Sequence, residues 1–154
     1  MHGVSGSGKS TVAQQFAKDK GAVILKADAI RKHITGTPLI KSDAAIYDKA
    51  TSDLVHTFLN EQGVCLIDTG FDVVLDATFL DVKKRQEVLS FFQGAGVDVK
   101  ILSVECSKGT AMKRIDARVG DVSDATNEIL KIQLEKFLPL TEQEKMITQV
   151  INND

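Results

Sequence analysis

The chain has 154 residues, of which 43% are hydrophobic and 26% charged, with 19 basic against 21 acidic side chains. This length and composition suit one domain with a hydrophobic core, and the slightly acidic balance argues against a nucleic-acid partner, because binding to phosphate backbones needs clustered Lys and Arg. No apolar run is long enough to cross a membrane, no leader pattern is present, and the two cysteines lack metal-ligand spacing, so we expect a cytoplasmic protein without a membrane partner.

Helix and strand signals alternate along the chain. Apolar spacing predicts helices over residues 8–18, 28–35, 44–62, 82–93, 107–118 and 124–137. Apolar runs predict strands over 22–25, 73–75, 97–104 and 146–151, whereas 64–67 fits either a strand or a continued helix. Helix ends are expected at Gly21, Gly36, Gly63 and Gly94, and Ser107 is a candidate cap for the helix over 107–118. Strands that alternate with helices imply an α/β fold, a parallel sheet covered on both faces.

A glycine-rich motif comes before the first predicted helix. Residues 3–10 fit G-x-x-x-x-G-K-[ST] in full. The glycines let the backbone wrap tightly with its N–H groups inward, and the positive end of the following helix dipole adds to this field. The motif predicts a P-loop that holds the phosphates of ATP or GTP through Gly3, Val4, Ser5, Gly6, Ser7, Gly8, Lys9, Ser10 and Thr11. Within it, Lys9 is expected to reach the β- and γ-phosphates, and the Ser10 hydroxyl to ligate Mg²⁺.

A P-loop should follow a buried strand, but only Met1 and His2 precede Gly3. The first strand of the sheet is therefore largely missing from the sequence. Either the chain is a truncated piece of a larger protein, or this strand is naturally very short. Since this strand is normally central, its loss is expected to cost stability.

A carboxylate and an arginine follow the strand predicted over 22–25. Asp28 lies at the rim where ligands bind in open α/β sheets, and a carboxylate there can take the proton of an acceptor hydroxyl that attacks the γ-phosphate. Arg31, three residues further, falls on the same helical face and could hold the acceptor. The alternative is that Asp28 is only a helix cap.

The strand predicted over 73–75 ends at Asp76. An aspartate that closes an apolar strand is how a P-loop protein presents a carboxylate to Mg²⁺, so Asp76 joins Ser10 as a candidate metal ligand. Asp68 is a rival for this role, but the segment before Asp76 is predicted more clearly as a strand than the segment 64–67 before Asp68. Thr78 could cap the next turn or contact phosphate, and we place it with Asp28 and Arg31 on the acceptor side.

Two arginines four residues apart share one predicted helix beside a loop that contains Gly120. Arg114 and Arg118 could close over the phosphates and neutralise charge in the transition state. The alternative is a surface helix on which these arginines pair with neighbouring aspartates. We include both arginines among the candidate catalytic residues, together with Lys9 and Asp28.

Taken in order, these motifs resemble a family of predicted P-loop kinases in the AAA-like group, relatives of gluconate kinase, polynucleotide 5′-kinase and zeta toxin. The resemblance rests on residues 3–11, 26–32, 73–80, 114–118 and 121–125, and on Gln133 with Pro139 and Leu140. It implies an adenylate-kinase-like fold, a three-layer α/β/α domain over residues 1–154 with a five-stranded parallel sheet. It also implies a mobile lid at about 114–125 and fusion, in a longer protein, to a domain like aminoglycoside phosphotransferases.

The resemblance implies ATP as phosphoryl donor and phosphoryl transfer to a hydroxyl, whereas the identity of the acceptor does not follow from it. We expect Mg²⁺ as the metal and a small molecule, sugar-like or similar, as the acceptor. By the same analogy Asp28 is the base, Arg31 faces the acceptor and Arg118 is a lid arginine. A polynucleotide, nucleotide or nucleotide-sugar kinase is the alternative within the same class. A regulatory ATPase module without kinase activity is the alternative of another class. The sequence has no Asn-Lys-x-Asp guanine reader, which argues against a GTPase.

Overall fold

The computed structural model describes residues 1–38, 46, 48–118 and 125–154. The helices in these ranges are α1 (Lys9–Lys20), α2 (Ala27–Thr35), α3 (Lys49–Asp68), α4 (Val82–Gly94), α5 (Lys108–Asp116), α6 (Asn127–Glu135) and α7 (Glu142–Met146). The strands are β1 (Val23–Lys26), β2 (Val73–Asp76), β3 (Ile101–Glu105) and β4 (Thr148–Asn152). Helices and parallel strands alternate as the sequence predicts.

The strands form two parallel pairs, β1 with β2 and β3 with β4. Between the pairs lie residues 1–3, where His2 forms a parallel bridge with Ser103 and the Gly3 N–H donates to the Thr78 carbonyl over 3.2 Å. The first strand of the predicted five-stranded sheet is thus reduced to a bridge between β2 and β3. The structure confirms the parallel α/β fold, with this strand largely missing.

Three details differ from the predicted elements. Gly63 does not end a helix: it is buried inside α3, which continues through residues 64–67 to Asp68. A β-carbon at Gly63 would collide with the Phe92 ring, so this glycine permits close packing of α3 against α4. In addition, β3 begins only at Ile101, and the short helix α7 precedes β4.

Local capping explains where several helices begin. Ser107 was predicted as a cap, and its side chain accepts a hydrogen bond from the Thr110 N–H at the start of α5. Thr141 and Glu144 form a capping box on α7, in which each side chain binds the other residue's backbone N–H. At the C-terminal end of α1, Gly21 adopts a φ of 69°, the left-handed conformation of a helix-ending glycine.

Arg85 connects four separate parts of the fold. It is 3% exposed, and its guanidinium binds both carboxylate oxygens of Glu144 on α7, at 2.7 and 3.1 Å. It also donates to the carbonyls of Phe79 and Leu80 after β2, and of Leu138 and Pro139 before α7. Burial alone would raise the pKa of Glu144, but hydrogen bonds from Arg85 and Thr141 outweigh it and lower that pKa.

We therefore predict that Arg85→Met destabilises the chain strongly, because it leaves Glu144 buried without its counter-charge. The expected loss in free energy of unfolding is about 3–5 kcal/mol, measured by urea denaturation. The matched control is Lys84→Met, since Lys84 forms surface ion pairs with Asp53 and Glu87 among the described residues. Equal denaturation midpoints for the two variants would contradict this account.

Candidate active site

A cavity of about 550 Å³ lies where the P-loop meets the carboxyl ends of β1 and β2. Its walls are the phosphate loop, Lys26 and Asp76 at those strand ends, the start of α2, the segment 77–79, Arg114 of α5, and Arg118 just after α5. This is the edge at which open parallel sheets bind ligands. All the predicted catalytic, metal and acceptor residues line this one cavity.

The phosphate loop has the backbone that its sequence requires. Gly6 and Gly8 have φ of 81° and 92°, in the left-handed region that favours glycine. A β-carbon on Gly6 would also collide with the backbone of Ala111 on α5. Within the described part of the chain, no hydrogen bond leads from the N–H groups of Gly6, Gly8, Lys9 or Ser10. These donors line an anion site at the N-terminus of α1.

Lys9 is held inside the loop. Its side chain is 8% exposed, and Nζ donates to the Val4 carbonyl over 2.8 Å. Burial lowers the pKa of Lys9 to about 8, with Asp76 opposing the shift and Arg118 adding to it. The ammonium is therefore an under-compensated cation at the centre of the cavity.

Ser10 and Asp76 are in direct contact, because the Ser10 hydroxyl donates to the Asp76 carboxylate over 2.7 Å. Asp68, the rival ligand, is the exposed last residue of α3 and does not line the cavity. Among residues 1–38, 46, 48–118 and 125–154, no three His, Cys, Asp or Glu side chains form a metal cluster. A hydroxyl and one carboxylate beside a phosphate site fit Mg²⁺, which keeps several waters and phosphate oxygens as ligands.

The predicted acceptor residues line the side of the cavity formed by α2 and residues 77–79. Asp28 is the second residue of α2, whose N-cap is Lys26, so the interpretation of Asp28 as the helix cap is wrong. Arg31 is 8% exposed, and its Nη1 donates to Ser52 Oγ over 3.1 Å and to the Ile46 carbonyl over 3.3 Å. Thr78 lines the same wall, and its carbonyl receives the Gly3 N–H.

One further residue of this wall, His56, was missed from the sequence. His56 lines the cavity from α3, and its ring lies 5.5 Å from that of Phe79. Burial, then the charges of Lys84 and Arg31, lower the pKa of His56, which favours its neutral imidazole. The i, i+4 spacing of Ser52 and His56 was the available signal, because it places both on one face of α3. His33, by contrast, is exposed.

Phe79 has a backbone conformation that is rare for a residue with a side chain. Its φ is 46°, in the left-handed region, and its carbonyl is held by Arg85 over 3.0 Å. Such strain persists only where surrounding contacts fix it, and it is common at ligand sites. Arg85 thus contributes, from outside the cavity, to the shape of the wall that carries the predicted acceptor residues.

Arg114 and Arg118 both line the cavity. Arg114 Nη1 donates to the Asn153 carbonyl over 2.7 Å and to the Ser7 carbonyl over 3.4 Å. Asp116, one of the aspartates considered as a surface partner, instead accepts a hydrogen bond from Asn127. Of the predicted lid, residues 119–124 lie outside the described residues.

Within residues 1–38, 46, 48–118 and 125–154, no helix is long and apolar enough to cross a bilayer.

Comparison with known proteins places the chain among P-loop proteins. A family model described as an AAA domain matches residues 1–140. Uncharacterized proteins of Mycobacterium tuberculosis and Mycobacterium bovis are 32% identical over 135 residues, 82% of this chain but 26% of each relative. The chain therefore spans about a quarter of the length of these relatives. A gluconokinase of Gluconobacter oxydans is 28% identical over 130 residues, 80% of this chain and 66% of that protein.

Solved structures of kinases share the fold. A sugar kinase from Janibacter has a TM-score of 0.73 at 23% identity, covering 98% of this chain and 82% of that one. A gluconokinase from Sinorhizobium meliloti has a TM-score of 0.67 at 21% identity, covering 99% and 79%. The APS kinase of Mycobacterium tuberculosis has a TM-score of 0.60 at 22% identity, covering 75% and 66%.

The pKa of Lys9 predicts how nucleotide affinity depends on pH. With a pKa of about 8 in the ligand-free chain, Lys9 must take up a proton to bind phosphate above that pH. Affinity for ATP should therefore fall above pH 8, by at most about tenfold per pH unit, and titration calorimetry should show proton uptake.

Two control variants are used. Lys9→Met should bind ATP weakly and without this pH dependence. Lys18→Met, which replaces an exposed lysine of α1, should bind ATP with the pH dependence of the wild type. A wild-type affinity that is flat from about pH 7 to 9.5 contradicts the role given to Lys9.

Proposed function

Because the chain belongs to the AAA domain family and has the fold of P-loop kinases, we propose that it transfers the γ-phosphate of ATP to a hydroxyl group of a small molecule. One observation carries this proposal. A single cavity joins a phosphate loop, the Ser10–Asp76 pair and a separate polar wall that contains Asp28 and Arg31. A nucleotide site alone would not need that second wall.

On the donor side, the N–H groups of the loop and Lys9 bind the β- and γ-phosphates. Lys9 then exchanges the Val4 carbonyl for phosphate oxygens, which compensate its buried charge. Ser10 and Asp76 would hold Mg²⁺, whose charge, when it is bound, offsets that of the phosphates. This division of work follows from the chemistry of each group already in contact with the cavity.

On the acceptor side, Asp28 orients the acceptor hydroxyl and takes its proton as the oxygen attacks the γ-phosphorus. The new P–O bond forms as the bond to the β-phosphate oxygen breaks, and ADP leaves. Arg31 and Thr78 position the acceptor. Arg118 and Arg114, within a lid at about 114–125, exclude water and balance charge on the transferred group.

The names of similar proteins suggest the acceptor class. A gluconokinase and a sugar kinase favour a sugar-like acceptor, whereas the APS kinase keeps a nucleotide-linked acceptor as the alternative. We further infer one kinase domain over residues 1–154, cytoplasmic, and fused in a longer protein to an aminoglycoside-phosphotransferase-like domain. The match covers 26% of each mycobacterial relative, which leaves room in those proteins for a further domain.

The second candidate function is a nucleotide-binding ATPase module without kinase activity. Acceptor-dependent ADP release separates the two. A panel of sugars, sugar acids, nucleosides and APS should contain a compound that raises ADP release well above the rate with water alone. Equal rates with every acceptor would favour the ATPase module.

We predict that Asp28→Asn lowers phosphoryl transfer by about 10²–10⁴-fold, because the variant cannot take the acceptor proton. Its affinity for ATP should be unchanged. Asp98→Asn, at an exposed position outside the cavity, is the matched control for loss of one carboxylate. If Asp28→Asn abolishes ATP binding instead, Asp28 belongs to the nucleotide site and the assignment is wrong.

A further inference from the structure

One peptide group of the phosphate loop is held from both sides. The carbonyl of Val4 accepts the Lys9 ammonium over 2.8 Å. The N–H of the same peptide group, on Ser5, donates to Gln133 Oε1 over 2.8 Å. Gln133 lies on α6, 128 residues along the chain from Ser5, and lines the cavity.

A second peptide group of the loop is held on its carbonyl side. The Ser7 carbonyl accepts the Asn153 side-chain amide over 2.8 Å and the Arg114 guanidinium over 3.4 Å. Asn153 follows β4, and its own backbone carbonyl receives Arg114 over 2.7 Å. The side-chain nitrogen of Asn153 also occupies the space that a β-carbon on Gly8 would fill.

The planarity of the peptide bond gives these contacts a consequence for phosphate binding. In a trans peptide the C=O and the N–H point in opposite directions. Fixing the Ser7 carbonyl toward Asn153 therefore turns the Gly8 N–H away from Asn153. Fixing the Ser5 N–H toward Gln133 likewise turns the Val4 carbonyl toward Lys9. Gly8 offers little resistance to a flip of the Ser7–Gly8 peptide, so contacts from outside the loop set its orientation. The Val4–Ser5 peptide has no glycine, and its carbonyl also accepts the Ser7 N–H over 3.2 Å.

We propose that Gln133 and Asn153, with Arg114, form a loop brace that sets the peptide orientations of the phosphate loop before nucleotide binds. Gln133 and Asn153 are positioning residues in this proposal, acting on ATP through the Val4–Ser5 and Ser7–Gly8 peptide groups. The brace rests on the proposed ATP site for its purpose, but it exists in the ligand-free chain. It joins α6 and the end of β4 to a loop at the opposite end of the sequence.

The first test uses the ligand-free chain. Amide hydrogen exchange of Ser5, followed by NMR, should be slow in the wild type and at least about tenfold faster in Gln133→Met, which removes the acceptor. Gln133→Glu keeps a carboxylate oxygen for the Ser5 N–H, so protection should return. Gln86→Met, on the exposed face of α4, should leave exchange of Ser5 unchanged. Equal exchange in the wild type and in Gln133→Met overturns the brace.

The second test measures ATP affinity by titration calorimetry. Gln133→Met and Asn153→Leu should each raise the Kd for ATP by about three- to tenfold, the value of one hydrogen bond that holds a loop group. Asn152→Leu, at the exposed neighbouring position, is the control and should leave the Kd unchanged. Melting temperatures of the ligand-free variants should match those of their controls, because the brace acts on the loop and not on the core.

The outcomes separate the brace from the proposed function. Unchanged Kd values in both variants, or losses equal to those of the controls, would falsify the positioning role. A wild-type chain that fails to bind ATP contradicts the proposed function, and the Ser5 exchange rate still decides whether the brace exists.

Discussion

A phosphate loop must keep several backbone N–H groups and one lysine available for an anion, and each of them is costly to bury without a partner. The rest of this structure follows from that constraint. Gly6 and Gly8 adopt left-handed conformations that turn the chain tightly, and α5 packs so close to Gly6 that no side chain fits there. The Val4 carbonyl holds Lys9, whose pKa burial lowers to about 8. The loop is thus an arrangement that binding of a polyphosphate completes.

The cavity wall with the predicted acceptor residues depends on a second buried charge, that of Arg85. Arg85 binds Glu144 and four backbone carbonyls, and one of these belongs to Phe79, the residue with φ of 46°. The same segment carries Thr78, whose carbonyl receives the Gly3 N–H next to the phosphate loop. A buried ion pair outside the cavity therefore holds residues 77–79 of the wall that also contains Asp28. Stability and the shape of the site are coupled through this contact, which is why the loss of Arg85 should affect both.

The sequence predicted the elements whose signals are local. The P-loop motif, the strand that ends at Asp76, and the Ser107 cap depend on near neighbours, and the structure has each of them. Contacts between distant segments could not be predicted in the same way. From the sequence alone, Gly63 resembles a helix-ending glycine. Its actual role, close packing against Phe92, depends on a contact with a distant helix. His56, Gln133 and Asn153 reach the cavity from elements whose relative placement no local pattern records. The chemical roles given to Asp28, Arg31, Arg114 and Arg118 stay predictions.

The most direct test of the account is the melting temperature of the chain with and without Mg·ATP, for the wild type and for Lys9→Ala. At about 100 times the Kd, ATP should stabilise the wild type by about 2.7 kcal/mol. For a domain of this size that corresponds to a shift of roughly 5–10 °C. The account predicts this shift in the wild type and its loss in Lys9→Ala. The absence of a shift in the wild type, or an equal shift in both proteins, would contradict the assignment of residues 3–11 as the ATP site.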